Sequence, residues 1–250
     1  MLSAGATAAY LPSVRRRFAV AEERCAVHVA SHPGYVSWSG GKDSTVVVRM
    51  ASLVDPNIPV VFFDSGLEFP DNVTHMHDVA VLWGLNFHTI EAVPDALSIL
   101  KGTGTWEHGG VAVPTPNIHD ALVTIPSMTA HAQFGAGNLW GLRGKESNGR
   151  RALLAPRAGV FTRVTGETVC SPIWDWRDET VWAYHAFKGI PVNPVYERLE
   201  ALGASGKDLR VGLAFDSNNL QNGRVRWLRL GWPDLYEHIC EALPRVREFR

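Results

Sequence analysis

The clearest structural signal in this chain is Tyr35-Val36-Ser37-Trp38-Ser39-Gly40-Gly41-Lys42-Asp43-Ser44-Thr45. Residues 35–38 predict a short strand, the two glycines predict a tight turn, and the apolar residues between 43 and 53 predict a helix. A strand that leads through a glycine turn into a helix presents backbone N–H groups to an anion, and the helix dipole adds to the attraction. The stretch therefore predicts a phosphate-binding loop in an α/β protein.

The side chains of this loop supply complementary groups for a phosphate. Gly40 and Gly41 let phosphate oxygens approach the backbone closely, and Lys42 adds a mobile positive charge. Asp43 is expected either to cap the following helix or to hold Mg²⁺. Hydroxyl donors come from Ser39, Ser44 and Thr45. The loop differs from the Walker A pattern G-x-x-x-x-G-K-[ST], because it is shorter and its lysine precedes an acid.

Strands and helices alternate after the loop. The apolar run 59–63 predicts a strand covered on both faces, and Pro70 begins a helix that ends near Gly84. Further strands are predicted at 86–90 and 137–142, and further helices at 14–29, 94–100, 178–187, 193–202 and 234–242. This order predicts a Rossmann-like, doubly wound α/β fold, with a mostly parallel sheet, helices on both faces and a helical C-terminal tail. Such sheets bind ligands at the carboxyl ends of their strands.

The chain is expected to form one domain with additions at both ends. Residues 1–30 form an N-terminal helical arm, 31–190 form the α/β domain that carries the phosphate loop, and 191–250 form a helical extension of the same domain. Segment 101–126 is rich in Gly, Pro and Thr and lacks periodicity, which predicts a long substrate loop or lid. The polar stretch 143–151 is expected to follow the strand at 137–142.

Composition excludes several classes of protein. A net charge of −1 gives no global field for nucleic acid, so contact with nucleic acid would need a local patch. Three cysteines without a CxxC pair, Cys25, Cys170 and Cys240, argue against a disulfide framework and cannot by themselves hold a four-thiolate iron–sulfur cluster. A reducing cytoplasm is the expected compartment. No apolar run is long enough to cross a membrane, so no membrane partner is expected.

Residues Ser39 to Thr45 resemble the PP-loop, S-G-G-x-D-[ST], of the ATP pyrophosphatase superfamily. The resemblance implies that the loop grips the β- and γ-phosphates of ATP while a nucleophile attacks the α-phosphate. The products would be an adenylate and pyrophosphate, which is a good leaving group when N–H donors, Lys42 and Mg²⁺ share its charge.

Three more blocks resemble the phosphoadenosine phosphosulfate (PAPS) reductase family within that superfamily. Residues 62–70, FFDSGLEFP, resemble F-x-D-T-G-x-E-F-P, and residues 141–150, GLRGKESNGR, resemble G-[IL]-R-x-x-E-S-x-x-R. Residues 171–176, SPIWDW, together with Val181-Trp182, resemble P-I-x-D-W…V-W. The blocks follow the order of the family and cover roughly residues 35–240.

The resemblance assigns roles to these blocks. Asp64 and Ser65 are expected at adenine or ribose, although Asp64 could equally cap a turn. Arg143 and Arg150 present planar charged forks for phosphate or sulfate. Glu146 is expected to pair with an arginine or to sit on Mg²⁺, with a surface salt-bridge cluster as the alternative. The candidate catalytic residues are Lys42, Asp43, Arg143 and Arg150, with Asp43 as the Mg²⁺ ligand. The candidate nucleotide-binding residues are Ser39, Gly40, Gly41, Lys42, Asp43, Ser44, Thr45, Asp64, Ser65, Gly141 and Glu146.

For other polar and aromatic groups we expect structural roles. The residues of the His75-x-His77 pair do not share a helix face, so a polar helix surface is expected and not a metal pair. The tryptophans at 174, 176 and 182 are expected in the core. The arginines at 224, 226 and 229 are expected on a solvated face, although they could also contact a phosphate backbone.

The C-terminal sequence decides between chemistries within the family. The reductases need a catalytic cysteine in E-C-G-[LI]-H, whereas this chain reads Cys240-Glu241-Ala242-Leu243-Pro244 and keeps the ATP form of the loop. We therefore expect cleavage of ATP between the α- and β-phosphates, with ATP and Mg²⁺ bound, in sulfur activation or nucleic-acid modification. The alternatives are a PAPS reductase that uses Cys240 and a non-catalytic nucleotide-binding subunit. Sulfate, a sulfur donor and nucleic acid stay open as acceptors, and a homo-oligomer or a sulfur-transfer partner is expected.

Overall fold

The structure, a computed structural model, describes residues 8–115, 117–212 and 224–249. Its strands are β1 (Gly34–Ser37), β2 (Pro59–Asp64), β3 (Asn86–Glu91), β4 (Gly137–Leu139), β5 (Val160–Thr162) and β6 (Thr168–Cys170). They form one six-stranded sheet in the order β3-β2-β1-β4-β6-β5. β1 is parallel to β2 and to β4, β4 is parallel to β6, and β5 is antiparallel to β6. The predicted Rossmann-like, mostly parallel sheet is confirmed.

Ten α-helices lie in the described residues. They are α1 (Pro12–Ser31), α2 (Lys42–Val54), α3 (Pro70–Trp83), α4 (Ala96–Gly102), α5 (Ile125–Phe134), α6 (Asn148–Leu154), α7 (Asp178–Lys188), α8 (Pro194–Ala201), α9 (Arg224–Gly231) and α10 (Pro233–Ala242). A π-helical turn, Asp120–Thr124, leads directly into α5. The helices that lie close to their predicted ranges are α1, α2, α3, α7, α8 and α10.

The first compact unit contains most of the sheet. Its described residues are 8–62, 77–89 and 128–192. The strands bury valine and leucine side chains, as parallel strands covered on both faces do, with Val36, Val60, Leu139 and Val169 among them. Helix α1 belongs to this unit, where Tyr184 donates a 2.8 Å hydrogen bond to Glu22.

The second compact unit comprises residues 63–76, 90–115, 117–127, 193–212 and 224–249 of the described chain. Its core includes Phe69 and Trp232, whose ring centroids lie 4.2 Å apart. The indole Nε1 of Trp232 donates to Asp71, which also pairs with Arg198 at 3.0 Å. The expected limits of arm, domain and extension stay predictions.

Several local expectations need correction. The segment 101–126, expected as a long loop, is helical at both ends: residues 101–102 belong to α4, and Asp120–Thr124 form the π-helical turn that continues into α5. The polar stretch 143–151, to which the sequence assigns no element, contains the start of α6, which Ser147 caps by accepting a hydrogen bond from the Arg150 N–H. The strand expected at 137–142 ends at Leu139.

Burial of side chains corrects and confirms other expectations. His75 is buried, contrary to the expected polar surface, whereas His77 is exposed. Arg224 is also buried, and its guanidinium lies 5.0 Å from the ring centroid of Phe69. The solvated face expected for the neighbouring arginines is confirmed at positions 226 and 229. The tryptophans at 176 and 182 are core residues, and the one at 174 is half-buried.

No helix within the described ranges combines the length and the apolar character needed to cross a lipid bilayer.

Candidate functional site

The glycine turn has the geometry that the sequence predicts. Gly40 has a φ of +72°, in the left-handed region that favours glycine. Gly41 is the N-cap of α2, and Lys42 is the first helical residue. Because Gly41 has no side chain, it leaves the N-terminus of the helix without a side-chain cap. The turn thus keeps the N-terminal end of α2 accessible to an anion.

The hydroxyl groups of the loop hold its own backbone. Thr45 Oγ1 donates to the carbonyl of Gly41 at 2.8 Å and accepts from Trp38 Nε1 at 3.0 Å. Ser44 Oγ donates to the same carbonyl at 3.1 Å and lies 3.0 Å from Ser39 Oγ. These bonds preorganise the turn.

A cluster of four charges lies at the first turn of α2. Lys42 Nζ is 2.7 Å from Asp43 Oδ2 and 3.1 Å from Asp178 Oδ1. Arg143 Nε is 2.6 Å from Asp43 Oδ1, and Arg143 NH2 is 2.7 Å from Asp178 Oδ1. The two cations therefore share the same two carboxylates. Arg143 is nearly fully buried, whereas 64% of the Asp178 side chain is exposed.

Arg143 and Asp178 of this cluster both stay charged at neutral pH. Burial lowers the pKa of Arg143, but the carboxylates of Asp43, Asp178 and Glu146 outweigh it, and the pKa of the guanidinium is raised overall. Burial raises the pKa of Asp178, but Lys42 and Arg143 outweigh it, so that the pKa of this carboxyl group lies below its usual value. Asp178 is a site residue that the sequence analysis does not identify.

A buried histidine supports the loop from the other side. His185 Nε2 lies 2.8 Å from the carbonyl oxygen of Lys42. Burial lowers the pKa of His185, so the ring is neutral at neutral pH and its Nε2 proton is donated to that carbonyl. His185 therefore fixes the first turn of α2. Its residue type and place in α7 carry no signal of this role in the sequence.

Gly141 is required by the close packing of two backbones. A Cβ atom at this position would lie 2.6 Å from the Ser44 nitrogen and 2.7 Å from the Asp43 carbonyl carbon. Gly141 follows β4, which pairs with β1, so the parallel pairing brings it to the loop after β1. The backbone of Gly141 therefore contacts the loop directly, because no side chain keeps the two backbones apart.

The block after Gly141 is held together by Glu146. Its Oε2 accepts a 2.9 Å hydrogen bond from the Arg143 N–H and also pairs with Arg150 NH1. The expectation that Glu146 pairs with an arginine describes this geometry. Arg150 is partly exposed and directs its charge to Glu146.

Asp64 and Ser65 belong to the second unit and have local partners. Asp64 Oδ1 accepts a 2.8 Å hydrogen bond from the Gly66 N–H. Asp64 therefore caps a turn, which is the alternative role given for it above. Ser65 Oγ donates to Glu68 Oε1 at 2.6 Å. The remaining candidates, from the loop and from the block 141–150, fall in the first unit.

The thiols and potential metal ligands add little to the site. Within the described residues, no group of three or more His, Cys, Asp or Glu side chains is arranged to hold a metal ion. All three cysteines are free and buried. Burial raises the pKa of Cys25 and of Cys170 to about 12, and it raises that of Cys240 as well.

Comparison with known proteins places this geometry in a family. The family model of the phosphoadenosine phosphosulfate reductase domain matches residues 34–203. A phosphoadenosine 5'-phosphosulfate reductase of Citrobacter koseri is 27% identical over 205 residues, which cover 75% of this chain and 80% of that protein. An uncharacterized protein of Methanocaldococcus jannaschii is 28% identical over 167 residues, which cover 65% of this chain and 38% of that longer protein.

Solved structures show the same fold. A PAPS reductase from Candida auris, in a phosphate complex, superposes with a TM-score of 0.56 and 19% identity, and the match covers 74% of this chain and 86% of the other. An FMN adenylyltransferase of Candida glabrata, in complex with FAD and inorganic pyrophosphate, gives a TM-score of 0.52 and 12% identity over 78% of this chain and 68% of the other. At these identities the superpositions establish the fold alone. The family match covers more than half of the chain, and this protein therefore belongs to the phosphoadenosine phosphosulfate reductase domain family.

Proposed function

We propose that this protein binds ATP and cleaves it between the α- and β-phosphates, passing the adenylyl group to an acceptor. The observation that carries the proposal is that Lys42 and Arg143 share the carboxylates of Asp43 and Asp178 at the first turn of α2, next to a turn of two glycines. The two cations are balanced by Asp43 and Asp178 in this structure. Phosphate oxygens that replace one of these carboxylates would contact both cations and the helix N-terminus together.

Each member of the charge cluster has a part in this proposal. Lys42 contacts the β- and γ-phosphates, and Arg143 neutralises the charge that develops on the leaving pyrophosphate. Asp43 holds both cations in place, since it contacts each of them. Asp178 is largely exposed, so its carboxylate can release the two cations to phosphate oxygens and become available to a magnesium ion. Arg150, which Glu146 positions, supplies a further fork for an anionic group.

The carboxylates also suit a magnesium ion. Asp43 and Asp178 converge on the same Lys42 ammonium, and Mg²⁺ characteristically takes one or two carboxylates together with phosphate oxygens. Bound with the nucleotide, the ion would neutralise charge on the triphosphate. Asp43 and Asp178 would hold it.

A PAPS reductase activity is the second candidate, because relatives that match this chain carry that name. A reductase of this kind needs a nucleophilic thiolate. Cys240 is 2% exposed, and its burial raises the pKa of its thiol, which disfavours the thiolate. The environment of Cys240 therefore favours the ATP reaction.

The remaining features of the proposal follow from this chemistry. The acceptor is sulfate, a sulfur donor or nucleic acid, and the protein works as a homo-oligomer or with a sulfur-transfer partner. Three free thiols suit a reducing compartment, and we therefore place the protein in the cytoplasm.

Chromatography of labelled ATP after incubation with the protein tests the proposal. We expect Mg²⁺-dependent formation of AMP, or of an adenylylated acceptor, together with pyrophosphate. The Lys42→Ala variant should lose at least about 100-fold of this rate, because one charge on the triphosphate is removed. Lys101→Ala, which removes an exposed lysine, is the matched control and should keep the wild-type rate.

Three other outcomes would replace the proposal. Release of ADP and phosphate would place the cleavage at the γ-phosphate. Sulfite release from PAPS with thioredoxin, abolished in Cys240→Ser, would establish the reductase. Under the ATP proposal, Cys240→Ser keeps its activity. ATP binding without turnover on any acceptor would show that the protein is a non-catalytic nucleotide-binding subunit.

A further inference from the structure

The positive charge of this chain is concentrated in one segment. Residues 143–163, here called the basic segment, hold six of the 24 Lys and Arg residues and one of the 25 Asp and Glu residues. The segment carries a formal charge of +5, so the net charge of −1 leaves −6 for the rest of the chain. Such an asymmetry is the electrostatic footprint expected of a surface that binds a polyanion.

Three of these six cations are paired with carboxylates. Arg143 is part of the charge cluster, and Arg150 pairs with Glu146. Arg163 pairs at 3.0 Å with Glu167, which is fully buried. The other three are exposed, and within the described part of the chain none of them has an ion pair with a carboxylate: Lys145, Arg151 and Arg157.

The exposed cations border the proposed ATP site. Lys145 lies two residues after Arg143, whose guanidinium reaches the first turn of α2. The Gly144 N–H donates a 2.8 Å hydrogen bond to the Trp174 carbonyl, and a Cβ atom at Gly144 would lie 3.4 Å from the Arg151 Cα. Gly144, the residue after Arg143, therefore packs on the backbone of Arg151. A polyanion that contacts Lys145 and Arg151 would lie beside the charge cluster, where the proposed function places the triphosphate.

The exposure of the side chains on α6 distinguishes a nucleic acid from a membrane surface as the binding partner. A helix that lies on a membrane needs an exposed apolar face. Of the two leucines of α6, Leu154 is fully buried and Leu153 is half-buried, whereas Arg151 and Ala152 are exposed, so α6 has no exposed large apolar side chain. A nucleic acid needs only cations along its sugar–phosphate backbone. The observations thus favour a nucleic acid.

We propose that the basic segment binds the phosphate backbone of a nucleic acid, and that this nucleic acid is the acceptor in the reaction with ATP. This inference rests on the proposed function. An oxygen of the nucleic acid bonds to the α-phosphorus as the bond from that phosphorus to the bridging oxygen breaks. Pyrophosphate leaves with the bonding electrons, and any proton on the attacking oxygen passes to water.

Fluorescence anisotropy with labelled oligomers of about 20 nucleotides tests the inference, at about 50 mM and about 200 mM salt. The probes are single-stranded RNA, single-stranded DNA and duplex DNA. The double variant K145E/R151E should bind its preferred probe at least about tenfold more weakly than the wild type, with a salt slope smaller by about two. The matched control is R226E/R229E, which makes the same change of charge at exposed positions on α9 and should bind like the wild type.

Calorimetry with ATP separates this inference from the proposed function. K145E/R151E should keep the ATP affinity of the wild type, whereas Lys42→Ala should lose ATP affinity and keep nucleic-acid affinity. A preference for RNA or for DNA supports the inference and names the source of the acceptor. The inference is overturned if K145E/R151E binds as the wild type does, if R226E/R229E loses as much affinity, or if the wild type binds phosphatidylserine vesicles and none of the probes.

Discussion

At the scale of single residues, Gly141 controls how closely the chain packs against the phosphate loop. A methyl group there would lie 2.6 Å from the Ser44 nitrogen, in a place where both neighbours are backbone atoms. We expect Gly141→Ala to lower the free energy of unfolding by about 1–3 kcal/mol, as overpacking does. The shift of the loop should also weaken ATP binding by at least about tenfold, which is about 1.4 kcal/mol.

Urea unfolding and titration calorimetry measure these two effects. Gly149→Ala is the matched control, because the nearest heavy atom to its Cβ, Ser147 Oγ, is 4.0 Å away. It should bind ATP as the wild type does. Equal ATP affinity in the two variants would show that Gly141 does not shape the phosphate loop.

Residues of the site differ in how far the sequence reveals them. Lys42 and Arg143 stand in motifs whose chemistry is readable, because a glycine turn before a lysine and a charged planar fork both suit phosphate. Asp178 and His185 stand in no such pattern. Asp178 meets Arg143 across 35 residues, and His185 meets the Lys42 carbonyl across 143 residues. Such contacts are set by the tertiary fold, which a local pattern does not encode.

At the scale of elements, α1 carries a pH-sensitive contact. His28 is buried in this helix, and its ring centroid is 4.7 Å from that of His32. Burial, followed by the charge of His32, lowers the pKa of His28 from 6.5 to about 4. The folded chain therefore binds fewer protons at this position than the unfolded chain does. This contribution to stability is present above pH 6.5 and is lost as the pH falls towards 4.

Urea unfolding at several pH values measures this contribution. The free energy of unfolding of the wild type should fall more steeply between pH 6.5 and 4 than that of His28→Gln, which has no imidazole to protonate. His238→Gln, at an exposed position of α10, should follow the wild type. Parallel curves for the wild type and His28→Gln would refute a role for His28 in acid sensitivity.

The sequence predicts the long elements better than the short ones. α2 and α3 begin and end within one residue of their expected limits, since a glycine turn and a proline mark them. β5 and β6 have three residues each, too few for alternation to be visible. The polar composition around α6 conceals a helix that depends on its Ser147 cap.

At the scale of the whole molecule, the family and the sheet follow from the sequence, because four ordered motifs occupy a strand–helix alternation. The grouping of distant segments into two compact units does not follow, since it depends on contacts between residues far apart in the chain. The uneven charge is visible in the sequence. Only the structure shows which cations of the basic segment are exposed and which are paired or buried.

The proposed reaction depends on the turn Ser39 to Thr45 holding the triphosphate of ATP. A crystal structure with α,β-methylene ATP and Mg²⁺ would show the position of that triphosphate. We predict β- and γ-phosphate oxygens within hydrogen-bonding distance, about 3 Å, of Lys42 Nζ and of backbone N–H groups in the turn. A nucleotide bound elsewhere, with Lys42 and Arg143 still paired to Asp43 and Asp178 and no phosphate at the turn, would contradict the account.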